Sequence, residues 1–251
     1  MKKLIAITLS LVLMLTCCSA LADTLTMVTN ASFPPYEYYD GETIVGIDAE
    51  IAAAICSYLG YDLEIRDQDF STCIPDVQAG KADFSMGGIT VTEERAQIID
   101  FSDYYSTGIQ VVIVPEDSPI TSADDLLAEG TSYKVGVQDA TTGSLYITDD
   151  YDAAGKDSAS LVLPYKTGND AVMALVAGKV DCVVIDNEPA KAYVEANPGL
   201  KILDSAYVVE EYAVVISKDT PELLASFNEA LAALKADGTI DAILAKYISA
   251  D

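Results

Sequence analysis

Val77-Gln-Ala-Gly-Lys-Ala-Asp83 recurs further along the chain as Leu175-Val-Ala-Gly-Lys-Val-Asp181. Each copy closes an apolar helical stretch with Gly-Lys and then enters a short apolar run: Phe84-Ser-Met86 after the first, Cys182-Val-Val-Ile185 after the second. Glycine just past a helix end can take the left-handed conformation that satisfies the last carbonyls, so the unit reads helix, cap, strand, twice over. A repeated unit of this kind predicts two similar lobes. Outward from it, β-rich runs alternate with amphipathic ones. Strands are expected at Leu25–Thr29, Tyr61–Arg66, Ala82–Met86 and Tyr133–Val137, and helices at Ile47–Leu59 and Thr72–Ala79. That alternation implies βαβ units, mainly parallel sheets, and an α/β fold with helices flanking each sheet.

Two long extended runs, Gly108–Pro115 and Tyr207–Ile216, stand where a chain would cross between lobes and return. A new helix is expected from Thr121 to Leu127, and two closing helices at Pro221–Lys235 and Ile240–Ile248. The division that follows is a discontinuous lobe 1 over residues 23–107 and 211–251, and lobe 2 over 108–210 with hinge strands at its ends. Paired short crossings favour hinge bending. In an open parallel sheet ligands bind beyond the carboxyl ends of the strands. The first repeat strand runs out into Gly87-Gly88-Ile89-Thr90 and the second into Asp186-Asn187, so facing lobes would line one cleft with both.

Residues 1–22 read as a secretory signal peptide: Lys2 and Lys3, an apolar core from Leu4 to Leu15 too short to span a bilayer, then Ala20-Leu21-Ala22 before Asp23. Cleavage after Ala22 is favoured over a lipid anchor on Cys18, because Leu15-Thr16 fit a lipobox poorly. The chain carries 14 Lys+Arg against 40 Asp+Glu, a net charge of -26, which repels nucleic acid and anionic lipid. Histidine is absent, which removes a His-dependent triad and the commonest transition-metal ligand. No cofactor or metal is expected. Cys56, Cys73 and Cys182 form an odd set after processing. Cys56–Cys73 is the plausible pair, with buried unpaired thiols the equal alternative.

Three segments could seat a small charged ligand. In Gly87-Gly88-Ile89-Thr90-Val91-Thr92-Glu93-Glu94-Arg95, the glycines permit close backbone approach, Thr92 can cap a short helix, Thr90 adds a hydroxyl, and Arg95 presents a planar fork suited to a carboxylate. The plain alternative is a surface Arg95 paired with Glu94 or Asp100. Thr141-Thr142-Gly143-Ser144 offers hydroxyls and amides at a helix start, or only an N-cap. Asp186, at a strand end, could neutralise an ammonium group or merely cap the next helix. Phe33 and Phe70, also after strand ends, could wall a planar side chain or pack in the core.

Taken in order, Phe33-Pro-Pro-Tyr-Glu-Tyr38, Gly46-Ile-Asp-Ala-Glu-Ile51, Asp69-Phe-Ser71, Gly88-Ile-Thr-Val-Thr-Glu-Glu-Arg95, Asp100-Phe-Ser-Asp-Tyr-Tyr105, Val135-Gly-Val-Gln138 with Thr141-Thr-Gly143, and Val184-Ile-Asp-Asn187 resemble the extracellular solute-binding proteins of family 3, the polar amino-acid receptors of ABC importers. The resemblance implies a two-lobed periplasmic-binding-protein-like fold of type II, joined by two strands and closing on its ligand. It implies that Arg95, Thr90 and the Thr142 amide hold an α-carboxylate, with Thr141 beside them. Asp186 and the Gly88 carbonyl would hold the α-ammonium, and Phe33 and Phe70 would flank the side chain. It further implies an exported monomer that delivers a free amino acid to a membrane permease. The chain departs from the pattern at Asn30, where receptors for cationic ligands often carry an acid, and at Ala140, where glycine is common. Asn30 favours a polar neutral side chain, while Glu37 and Asp139 leave room for a basic one. The competing readings are a dehydratase or lyase for a small carboxylate on the same fold, which would need a cleft acid of raised pKa, and the ligand-sensing domain of a receptor.

Overall fold

The computed structural model describes residues 23–248. The signal peptide read over residues 1–22, with Cys17 and Cys18, lies outside the described residues.

The chain opens with β1 (Thr24–Thr29) and a small antiparallel sheet of β2 (Ser32–Phe33), β3 (Glu37–Asp40) and β4 (Thr43–Val45). Then follow α1 (Ile47–Leu59), β5 (Asp62–Asp67), α2 (Phe70–Gln78), β6 (Phe84–Ser85), α3 (Glu93–Ile98) and β7 (Asp100–Phe101). The long β8 (Ser106–Pro115) carries the chain across to β9 (Val135–Gln138), α4 (Thr142–Ala153), α5 (Ser158–Leu161), β10 (Val162–Tyr165), α6 (Gly168–Val176), β11 (Cys182–Asp186), α7 (Asn187–Ala196) and β12 (Leu200–Ile202). The return strand β13 (Val208–Tyr212) lies antiparallel to β8, and β14 (Val215–Ile216), α8 (Pro221–Ala236) and α9 (Thr239–Tyr247) complete the first lobe.

The two main sheets have matching orders, β5-β1-β6-β14-β7 and β10-β9-β11-β8-β12, with β1/β5/β6 parallel in one and β9/β10/β11 parallel in the other. The sequence repeat sits at equivalent places. Gly80 and Gly178 take φ of 68° and 66°. Lys81 N bonds to Asp76 O and Lys179 N to Ala174 O, both at 2.9 Å. Each terminal aspartate then holds the start of the neighbouring strand: Asp83 accepts from Thr26 N and Asp181 from Lys134 N, each at 2.7 Å. The repeated letters therefore encode a repeated helix cap and strand clamp.

α1 begins at Ile47 because Gly46, at φ 125°, turns the chain where a Cβ would sit 2.2 Å from the Tyr36 carbonyl oxygen. Ile47, Ile51 and Ile55, four residues apart, are fully buried with Ala52 between them. Each buried isoleucine contributes about 1.5–3 kcal/mol.

The sequence expectations fail in two places, and the open choice between a Cys56–Cys73 pair and buried free thiols falls to the thiols. The helix expected over Thr121–Leu127 is only a 3-10 turn, Ala123–Leu126. Just Ala123 and Leu126 are buried there, and Lys156 Nζ bonds to the Ala128 and Thr131 carbonyls, which turns the chain. The run Tyr207–Ile216 is broken at Ala213-Val214, where Ala213 N bonds to Ile89 O and Val214 N to Ser102 Oγ. The break passes the chain from β13 in one sheet to β14 in the other. Cys56 and Cys73 do not pair, because the first sheet separates them: Cys56 packs with Met27 on its α1 side, Cys73 with Val28 on the other. All three described cysteines are buried and free. No helix among the described residues is long and apolar enough to cross a membrane.

Candidate ligand-binding cleft

The carboxyl ends of β1 and β6 face those of β9 and β11. β6 runs out through Met86 into Gly87 and Gly88, and Gly88 takes φ 55°. A Cβ there would lie 2.8 Å from the Phe33 ring, so only glycine lets the loop pass under it. Asp48, buried in α1, fixes this turn: its Oδ2 accepts from Gly88 N at 2.9 Å and from the Tyr105 hydroxyl at 2.7 Å.

α3 starts where Thr92 Oγ1 accepts from Arg95 N at 3.1 Å. The cap aims Arg95 inward, 7% exposed. Its guanidinium donates to the Thr90 carbonyl at 2.8 Å and, across the cleft, to the Ala140 carbonyl at 3.1 Å. The surface pairing with Glu94 or Asp100 does not form; Asp100 pairs with Lys218 instead. Ala140 is held at φ 60°, a conformation L residues adopt at a cost of about 1–2 kcal/mol. Burial pulls the Arg95 pKa down, and Glu210, Tyr146 and Asp186 oppose it.

Between these groups lies a small, largely enclosed cavity. Asn30, Phe33, Glu37, Phe70, Gly87, Gly88, Thr90 and Arg95 line it from the first lobe, and Gln138, Thr141 and Thr142 from the second. Phe33 and Phe70 therefore sit at the cavity rather than only in the core. Direct bonds cross it: Gln138 Nε2 donates to Asn30 Oδ1 at 3.0 Å, and the Thr90 and Thr142 hydroxyls lie 3.4 Å apart. At the rim, Tyr193 donates to the Ser32 carbonyl at 2.6 Å and Lys166 meets Asp69 at 3.0 Å. Thr141 caps α4, accepting from Ser144 N at 3.3 Å.

Of the nine residues expected to touch the ligand (Asn30, Phe33, Phe70, Gly88, Thr90, Arg95, Thr141, Thr142 and Asp186), Asp186 alone does not line the cavity. It ends β11, 6% exposed, at the N-cap position just before α7, yet makes no capping bond. It accepts instead from the Tyr212 hydroxyl. Burial and the Glu210 charge push its carboxyl up to about 7, against the Tyr212 and Gln110 hydrogen bonds. Three participants were missed. Gln138 ends an apolar strand and was open to the same strand-end rule that found Asp186. Glu210, buried and bonded to Gln110 Nε2 at 2.8 Å, and Tyr212 lie on the return strand, whose Val-Val-Glu-Glu-Tyr pattern gave no sign that any of them faced a site.

Residues 25–250 match the model of the bacterial extracellular solute-binding proteins, family 3. The chain belongs to this family. The receptor is 30% identical over 234 residues to the L-arginine-binding protein of Pseudomonas aeruginosa, covering 88% of this chain and 86% of that one. Among solved structures, an ancestral arginine-binding protein bound to arginine superposes with a TM-score of 0.84 at 36% identity, covering 91% of this chain and all of that one. An ancestral arginine-binding protein bound to glutamine gives 0.82, also at 36% identity, covering 90% of this chain and 98% of that one. The fold is thus the two-lobed one of amino-acid receptors, and the family consists of extracytoplasmic substrate-binding proteins of ABC importers rather than enzymes. The acid-catalysis alternative loses its footing here.

The receptor's cavity is electrically lopsided. Glu37 lines it fully buried, with Oε2 lacking any hydrogen-bond partner. Burial and the neighbouring Asp48 raise its pKa well above the usual carboxylate range, and burial pushes Asp48 up to about 6. Glu37 thus shares the cavity wall with the buried Arg95 guanidinium, which Glu210 and Asp186 act on from beyond the lining.

Proposed function

We propose that the receptor closes on one free L-amino acid and holds its backbone charges from both lobes. Arg95, the Thr90 hydroxyl and the Thr142 amide take the α-carboxylate; Asp186 and the Gly88 carbonyl take the α-ammonium; Phe33 and Phe70 sandwich the side chain, with Thr141 and Asn30 at its borders. The observation that carries this reading is the buried Arg95 fork, which reaches a carbonyl on the opposite lobe. A zwitterion spans both lobes only when they are closed, so its hydrogen bonds to charged groups, about 1.5–3 kcal/mol each, favour the closed state. On this reading lobe 1 is residues 23–107 and 211–251 and lobe 2 is residues 108–210. The closed pair delivers its ligand to a membrane permease outside the cytoplasm.

The side chain we assign is arginine's. A guanidinium stacks flat on phenyl rings, its donors suit the Gln138 and Asn30 oxygens, and the unpartnered Glu37 Oε2 in the cavity wall offers it a further acceptor. The names of the relatives point the same way. Glutamine is the second reading, favoured by the neutral Asn30–Gln138 pair at the distal wall. A thermal-shift screen of the free amino acids separates them, since a ligand stabilises by RT ln(1 + [L]/Kd). L-Arginine is expected to give the largest shift; stabilisation by sugars with none by any amino acid would overturn the assignment. Intact mass of the exported protein should start at Asp23, and a diacylglyceryl mass on Cys18 would contradict cleavage after Ala22.

A further inference from the structure

Tyr212 belongs to the hinge and to the cleft at once. It ends the return strand β13, and its backbone is stapled to the first lobe. Thr90 forms an antiparallel bridge with it, and its carbonyl accepts from Tyr105 N at 2.9 Å. On either side, Val91 N bonds to Glu211 O and Ala213 N to Ile89 O, each at 3.1 Å. These are the residues that lead into Arg95. The side chain points the other way, and its hydroxyl donates to Asp186 at the end of β11 in the second lobe. One residue therefore ties the anion seat to the carboxylate that faces it.

The tie depends on a missing side chain. A Cβ on Gly108 would lie 1.9 Å from the Tyr212 hydroxyl oxygen and 2.2 Å from the ring carbon bearing it. Gly108 lies in the regular β8–β13 ladder opposite Glu210, so glycine serves for space and not for its backbone freedom. Tyr36 packs edge-on against the Tyr212 ring at 5.3 Å and closes the other side.

We propose that Tyr212 is a positioning residue for ligand binding, aiming Asp186 at the α-ammonium, and that Gly108 is the aperture through which it reaches. This role rests on the cleft's taking an amino acid. A phenol donor stabilises the charged form of a carboxyl, and a donor on one oxygen leaves the other for the ligand. The groups facing Asp186 are Glu210 and Tyr212 from β13, Gln110 from β8, Tyr36 and Glu37 from the small sheet region, Arg95 from α3 and Tyr146 from α4. Burial and Glu210 resist ionisation, while Tyr212 and Gln110 favour it.

The test pairs a ligand-free readout with a binding one. Carbon-detected NMR follows the Asp186 carboxyl through a pH titration of the empty protein, and calorimetry measures L-arginine and 5-guanidinopentanoic acid, which is arginine without its α-amino group. Tyr212→Phe should keep the wild-type melting temperature within a few degrees and move the Asp186 titration to higher pH. It should weaken L-arginine about tenfold and leave the deaminated analogue unchanged. Gly108→Ala, which pushes the ring aside, should reproduce the change in L-arginine binding. An unmoved Asp186 titration, or equal losses for both ligands, would overturn the hinge role. Wild-type protein silent to L-arginine would instead overturn the ligand reading on which that role rests.

Discussion

Asp186 is placed where folding and binding want opposite things. Its carboxyl sits at about 7 in the folded protein against an ordinary 3.8, because burial and Glu210 penalise the charge. A raised folded pKa means that the folded state holds the proton more tightly than the unfolded chain. The resulting stability is complete below about pH 4 and is lost as pH rises through about 7. Glu37 and Asp48 are shifted in the same direction. The empty protein should therefore melt higher at pH 5 than at pH 8 in scanning calorimetry. Affinity for L-arginine should run the other way and fall on acidification, since the ammonium needs an ionised partner. Asp186→Asn separates the two demands. Removing a buried charge should stabilise the empty protein by about 1–3 kcal/mol while weakening L-arginine by about 2–5 kcal/mol. A variant that loses stability in urea titration as well as affinity would show that Asp186 serves the fold instead.

At the scale of elements, short capped turns deliver the site. α3 exists to turn Arg95 inward, and its only side-chain cap is Thr92. Thr92→Ala should cost about 1 kcal/mol of stability in urea denaturation, with a parallel loss of affinity as Arg95 loosens. The left-handed Ala140, whose carbonyl faces Arg95, carries strain that glycine would not. Ala140→Gly is therefore expected to raise stability by up to about 1 kcal/mol, the gain being limited by the freer unfolded chain. These elements were readable because their signals are local. Ile47, Ile51 and Ile55 mark α1 by spacing, Thr92 marks a helix start, and the paired Gly-Lys turns mark the strand starts. The conflict at Ala140 was legible too, as the departure from the family's glycine. What escaped was set by distant partners. The break between β13 and β14 is made by Ile89 and Ser102, far away in sequence, and the separation of Cys56 from Cys73 by a sheet that runs between them. Glu210 and Tyr212 become visible only once β8 lies beside them with Gln110 and a bare Gly108. Gln138 is different, since its place at the end of an apolar strand was legible and only its partner, Asn30 on the facing lobe, was not.

For the whole molecule, two lobes of like topology meet through polar contacts and a shared apolar cluster, and are joined by the β8–β13 ladder. The rim ion pair of Lys166 and Asp69 is largely exposed, 76% and 53% by side chain, and so contributes about 0–1 kcal/mol. Closure must draw instead on what bridges the buried centre. Small-angle X-ray scattering should show the radius of gyration falling when L-arginine is added at saturation, and a radius indifferent to the ligand would contradict hinge closure. The central claim, that Arg95 and Asp186 grip one amino acid from opposite lobes, is tested most directly by calorimetric titration of L-arginine into wild type and Arg95→Ala. Removing the guanidinium leaves a ligand carboxylate buried without its partner, so the variant should bind more weakly by about 2–5 kcal/mol. Equal affinity of the two proteins would contradict it.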